Sequence, residues 1–286
     1  MGKCRLCMKE EALEESHILP KFIFRYQKAS SPTGFIRSTK NPNQPVQDGI
    51  KLPFLCSEFE DRFAKWETKF SRNIFYPYQT ENGQTFPYDE WLSKYLASVA
   101  FRVLVYVYED CGLDYFSRIM LQHAVNSIES LRNYLLGNNS HPGGNRQLLL
   151  LLDTLDAVSI RSNPENFNIY MTRAIEFDVI TTDVDSFIFV KYLKFLQLCP
   201  IYLSYNKGWR TARISHNSGI LRHQDHELPD YVMNKMRAGC NALNSSIHLV
   251  SVRQESIINS RVTQNLDKLI ESPVGKASLA EHLAKS

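Results

Sequence analysis

The pattern that most constrains this 286-residue chain is Cys4-Arg5-Leu6-Cys7, answered far downstream by a lone thiol in Leu55-Cys56-Ser57-Glu58-Phe59-Glu60. Two thiols separated by two residues project from one tight turn, which is half of a zinc knuckle; a second half from elsewhere in the chain completes the tetrahedron. Cys56 is the natural start of that second half, but Phe59 stands where a fourth thiolate belongs. Two alternatives follow. Zinc is held by three protein ligands plus a displaced one, or it is absent and Phe54, Phe59, Phe63 and Trp66 hold the unit as a hydrophobic cluster. Cys111, Cys199 and Cys240 sit in apolar or helical patterns and are expected to be ordinary buried thiols.

No apolar segment of the secretory type precedes the paired cysteines. No stretch approaches the roughly 18 apolar residues that span a bilayer. Arg102, Lys191, Lys194 and Gln197 interrupt the most apolar runs. The expectation is a cytoplasmic protein with no membrane partner, where disulfides are rare and paired cysteines point to metal. A net charge of +3 is too mild to argue for nucleic acid. Its distribution is more telling: from Pro20 to Lys51 the basic residues Lys21, Arg25, Lys28, Arg37, Lys40 and Lys51 are opposed by Asp48 alone. Lys21, Arg25 and Lys28 recur at helical spacing, which suits either a phosphate backbone or a solvated face. The interleaved Phe22, Phe24 and Tyr26 are expected to face the core or a partner.

The chain divides into residues 1–75, holding the cysteines and the basic run, and an α+β portion over 76–286. Turn residues mark Tyr76–Pro87 as a connector. Helical spacing predicts helices over Tyr88–Glu109, Leu113–Leu136 and Arg146–Leu155. Residues 168–221 read as a mostly antiparallel β region. Its strands are placed at Asn168–Val179, Ser186–Leu196, Ile201–Tyr205, Trp209–Ile214 and Gly219–Leu221, with a hairpin turn at Asn206-Lys207-Gly208. From Pro229 to residue 272 the chain returns to helix, and the stretch after Pro273 is expected to be loosely ordered. His216, His223 and His226 read as part of a polar loop rather than a metal site. No Gly-rich phosphate loop or G-x-S-x-G elbow appears, so nucleotide hydrolysis and α/β-hydrolase chemistry have no support.

Between the two cysteine segments lies Glu15-Ser16-His17-Ile18-Leu19-Pro20. With the cysteines, this "H-I-x-P" strand resembles the HNH endonuclease superfamily, whose ββα-metal core is often framed by two knuckles. Ser16 to Phe22, Val46-Gln47-Asp48-Gly49, Leu55-Cys56 and Glu60–Phe70 also resemble an uncharacterised bacterial HNH-like group tied to phage defence; Lys194-Phe195 and Trp209-Arg210-Thr211 fit the same group. The resemblance implies a ββα zinc-knuckle unit with Cys4, Cys7 and Cys56 on structural zinc. It implies His17 as the general base that deprotonates water for attack on a phosphodiester, a task suited to imidazole. Glu60 takes the position of a catalytic-metal ligand, apt for Mg²⁺ or Mn²⁺.

Ser16 replaces a metal ligand of the family, and Phe59 replaces a zinc ligand. The expected function is a metal-dependent nuclease acting on nucleic acid, DNA before RNA, under control of a protein partner or oligomer. The rival is an HNH-like adaptor that kept the scaffold and lost the cutting.

Overall fold

The computed structural model describes residues 1–80, 84–112, 116–183, 185–204, 212–223 and 228–285. It opens with a short hairpin, β1 (Gly2–Lys3) and β2 (Glu10–Glu11), followed by β3 (Leu13–His17) and helix α1 (Lys21–Ala29). A second hairpin, β4 (Ile36–Ser38) and β5 (Asn41–Val46), leads to β6 (Lys51–Cys56), and helix α2 (Ser57–Phe70) continues directly from it. A π turn over Ser71–Phe75 joins α2 to α3 (Tyr76–Thr80). Then come β7 (Thr85–Tyr88), α4 (Glu90–Tyr106), a π turn over Val107–Cys111 and α5 (Arg118–Leu136). The second half contains β8 (Leu148–Leu151), α6 (Ala157–Arg161), α7 (Phe167–Arg173), β9 (Ile175–Thr181), β10 (Asp185–Tyr192) and β11 (Phe195–Leu203). It ends with β12 (Gly219–Arg222) and the helices α8 (Asp230–Ile247), α9 (Val252–Gln264), α10 (Leu266–Glu271) and α11 (Pro273–Lys285). The result is a mixed α and β fold with antiparallel sheets and carboxy-terminal helices.

Alternation along the strands builds the centre. The main sheet has the antiparallel order β8-β11-β10-β9. Because side chains alternate across a strand, Leu149, Leu151, Ile188, Val190 and Tyr192 join one hydrophobic cluster with α4 and α5. Leu148, Leu150, Phe187, Phe189, Leu196 and Leu198 join a second, with Phe167 and Met171 of α7 and Val232 and Met236 of α8. Each such large apolar side chain contributes roughly 1.5–3 kcal/mol by leaving water. The first cluster extends without a break into the amino-terminal residues: Phe70 stacks on Tyr95 at 4.2 Å between centroids, and Phe75 on Phe195 at 5.6 Å.

Several expected elements take a different form. Arg146–Leu155 is not a helix, because Leu148–Leu151 pairs as an edge strand with β11 and buries leucines on both faces. Periodicity alone does not separate a buried strand from a buried helix in such a run. Asn168–Val179 is divided into α7 and β9 by the extended backbone of Ala174. Ser186–Leu196 and the described part of Ile201–Tyr205 resolve into the β10–β11 hairpin, whose turn places Leu193 at φ 53°, while Tyr205 lies outside the described residues.

The residues after Pro273 form α11 rather than a loose tail. Glu281 fixes that helix by accepting hydrogen bonds from the N–H groups of Asn166 (2.8 Å) and Asn168 (2.6 Å). Cys199 and Cys240 are buried as expected, whereas Cys111 is exposed at the end of its π turn. The expected turn Asn206-Lys207-Gly208, the first half of Trp209–Ile214 and His226 lie outside the described residues.

Candidate metal and catalytic site

The three cysteines converge. The β1–β2 hairpin carries a turn in which Met8 N–H donates to Cys4 O (2.9 Å) and Met8 takes φ 62°. Arg5 N–H donates to Phe54 O at 3.0 Å, which seats the turn against β6. The Sγ atoms of Cys4, Cys7 and Cys56 all lie within 4.8 Å of one another. Tetrahedral zinc with Zn–S bonds near 2.3 Å needs sulfurs about 3.8 Å apart, so the trio is close to ligating geometry.

Backbone N–H groups also favour a thiolate here. Burial works against ionisation of Cys4, but hydrogen bonds from Cys7, Cys56 and Leu6 prevail and lower its thiol; the Cys56 N–H lies 3.4 Å from Cys4 Sγ. Burial and the neighbouring thiols push Cys56 up to about 11. Binding a cation would reverse that bias. Among the described residues no fourth ligand joins the trio. Phe59 is 5% exposed and packs in the main cluster, with the Arg62 guanidinium 4.7 Å from its ring centroid. The donor set therefore fits a cation that accepts three thiolates and one exogenous ligand.

Beside the knuckle, β3 and β6 pair antiparallel with His17 opposite Lys51 and a bulge between Glu14 and Glu15. Consecutive strand residues face opposite sides, and the two polar residues at the end of β3 find separate partners. Ser16, fully buried, donates to Glu60 Oε2 on α2 at 2.8 Å. His17 Nε2 lies 3.0 Å from Asp48 Oδ2, with both side chains less than one-fifth exposed. The contact is short but not ideally aligned, and both hydrogen bonding and charge from the imidazole act on the carboxylate. Burial disfavours the charge on Asp48. The His17 imidazole, the Gly49 N–H and the Lys51 ammonium at 3.5 Å outweigh it and hold the carboxyl below its usual range.

Arg102 of α4 closes the site from below. It is 1% exposed, and it donates to Ser98 O (3.2 Å), His17 O (2.9 Å) and Glu67 Oε1 (2.8 Å). Burial raises the Glu67 carboxyl despite that arginine, and the nearby Glu60 adds to the rise. Glu60 and Glu67, seven residues apart on α2, are thus tied into the interior rather than solvated.

The sequence-predicted residues fall into distinct groups. Cys4, Cys7 and Cys56 meet. His17 and Glu60 flank the end of β3 but do not form a metal-ligating cluster of three with any other described residue. Lys21 and Arg25 are exposed on α1, while Lys28 donates to Gln47 O at 2.6 Å. Phe22 and Tyr26 pack edge-on against Phe75, as core-facing residues. Sequence reasoning did not assign Asp48 or Arg102 to the site, although each was visible as the one acid in a basic run and as a charge inside an apolar helix. Among the described residues no helix is long and apolar enough to cross a membrane. Comparison with protein-family models, with curated proteins and with solved structures finds no match to the chain.

Proposed function

We propose that the chain is a metal-dependent nuclease of the HNH type, with β3, β6 and α2 as its ββα unit and the cysteine trio on structural zinc. The observation that carries this reading is the placement of His17 at the end of β3. Its imidazole faces the partly buried carboxylate of Asp48, and the following helix presents Glu60 beside the same strand. An ionised Asp48 orients the imidazole and stabilises the imidazolium formed when His17 takes a proton from water. The water oxygen then bonds to phosphorus, and the bond from phosphorus to the leaving sugar oxygen breaks. Ser16 engages one carboxylate oxygen of Glu60 and fixes its direction. A carboxylate suits Mg²⁺ or Mn²⁺, which retains waters and supplies Lewis acidity toward a phosphate. Lys21 and Arg25, exposed on α1, provide phosphate contacts outside the site.

A second reading is favoured by one observation. Glu60 gathers no further metal-ligating pair among the described residues, as expected for an HNH-like adaptor that binds nucleic acid without cutting it. Purified wild type and His17→Ala, incubated with plasmid, single-stranded DNA and RNA in Mg²⁺, Mn²⁺ or EDTA, separate the two. Metal-dependent cutting that falls by about 10²–10⁴ in the variant supports the enzyme. Binding without cutting in every buffer supports the adaptor, and no binding at all removes both.

A further inference from the structure

A cleft of about 640 Å³ has Asp48, the partner of His17, in its wall and lies between the amino-terminal residues and the α7–β9 and α8 segments. Its walls include Phe24, Arg37, Asp48, Arg173, Phe177 and Lys235. The charges are unevenly matched. Lys235 is neutralised by Glu176 at 2.7 Å and Asp178 at 3.0 Å, and Asp48 is occupied by His17 and Lys51. The two guanidiniums differ. Arg173, 7% exposed, donates only to neutral oxygens, Ser30 Oγ at 2.6 Å and Gln27 O at 2.8 Å. Arg37 makes one long bond to Gln254 Oε1 at 3.4 Å, and its buried Nε finds no acceptor. Among the described residues neither pairs with a carboxylate. A buried cation without a counter-charge is costly, and an anion entering the cleft would relieve it.

The remainder of the wall is largely apolar, interrupted by Gln27, Ser38, Thr39, Tyr170 and Glu176. Phe24 is held in place because Gly49 leaves room for its ring: a Cβ at Gly49 would collide with it. An aromatic face beside guanidiniums is the chemistry that receives a base and its phosphate. A cleft of this volume matches a ligand of mononucleotide size. Bases in a duplex lie inside the stack and cannot enter a concave cleft without extrusion.

Resting on the nuclease-type reading, we propose that this cleft takes one unpaired nucleotide next to the reacting phosphate, so that the substrate class is single-stranded nucleic acid. Arg37 contacts the phosphate, Arg173 supplies uncompensated positive charge behind it, and the base lies against the half-buried Phe177, with the buried Phe24 backing the wall.

The test is fluorescence anisotropy without added Mg²⁺ or Mn²⁺, so that cutting does not intervene and structural zinc is retained, with the full chain and labelled single-stranded DNA, single-stranded RNA and duplex DNA of one sequence. The variants are Arg37→Ala and Ala238→Phe. Ala238 lines the cleft from an exposed position on α8, so a larger side chain fills the space without disturbing the core. Wild type is expected to bind single strands about tenfold or more tighter than duplex. Each variant should lose about tenfold in single-strand affinity, with an unchanged melting temperature and unchanged duplex binding. The two single-stranded arms decide between DNA and RNA. Equal or tighter binding of duplex, or single-strand binding indifferent to both variants, overturns this inference and leaves the nuclease reading standing. Failure to bind any of the oligonucleotides overturns both.

Discussion

Asp48 is the lone acid opposing six basic residues between Pro20 and Lys51, and the structure places it against His17. Its carboxyl is held low in the folded state, so the stabilisation it provides is complete above the unfolded value, near 3.9, and is lost as pH falls through the folded value. The melting-temperature gap between wild type and Asp48→Asn is therefore expected to be widest near neutrality and to close below about pH 4. A gap that persists in acid would detach Asp48 from the imidazole. For the cysteines, metal analysis of freshly isolated protein is expected to give close to one zinc per chain, falling well below that in Cys4→Ser, since three thiolates and an exogenous ligand suffice for tetrahedral binding. Zinc-free wild type would leave the hydrophobic cluster as the only support of the knuckle. Cys4 and Cys7 were legible because their spacing is a local property, and Cys56 because a knuckle needs a second half from elsewhere in the chain. The pairing of His17 with Asp48 was not, because it depends on where the β4–β5 hairpin returns the chain.

At the scale of elements, the charged residues that break the apolar runs became the fasteners between layers. Arg102 ties α4 to the end of β3 and to α2 through His17 O and Glu67. Arg102→Met would strand a buried carboxylate and a carbonyl, with an expected loss of about 3–5 kcal/mol. In thermal denaturation that is a fall of roughly 6–20 °C for a chain of this size. Lys191 of β10 is fully buried and donates to Met171 O (2.9 Å) and Leu193 O (2.8 Å), closing the end of α7. Burial pushes its ammonium down to about 7, against the opposing charge of Glu176. Between that value and the unfolded one near 10.4, the unfolded chain holds the proton and the folded chain does not, so raising pH favours the fold. Stability is expected to gain from this group between about pH 7 and 9.5, and Lys191→Met should abolish the gain.

The helices read from apolar spacing were legible, and the structure adds their caps: Asp89 accepts from Trp91 N–H at the start of α4, and Gly137 takes φ 88° at the end of α5. Leu148–Leu151 and Ala174 were not. Strand pairing with β11 and the packing of α7 on α8, both distant in sequence, decide those segments.

At the scale of the molecule, one hydrophobic cluster runs from Ile18 and Phe63 through Phe70 and Phe75 to Tyr95 and Phe195. Residues 1–75 expressed alone are accordingly expected to lack a cooperative transition, whereas the full chain should show a single calorimetric one. Two separate transitions would show that the amino-terminal unit stands independently. The carboxy-terminal helices also reach the other end of the chain. Arg261 lies 4.2 Å from the Phe35 ring centroid and donates to Thr33 O (3.2 Å). Asn43 Nδ2 donates to Leu249 O (2.9 Å), and Ser251 N–H donates to Asn43 Oδ1 (2.8 Å). Residues 33–43 are thus synthesised long before the helices that complete their contacts. Their hairpin, and the cleft beside it, reach final form only after translation of the distal helices, so a prematurely terminated product would carry the cysteines without a finished binding surface.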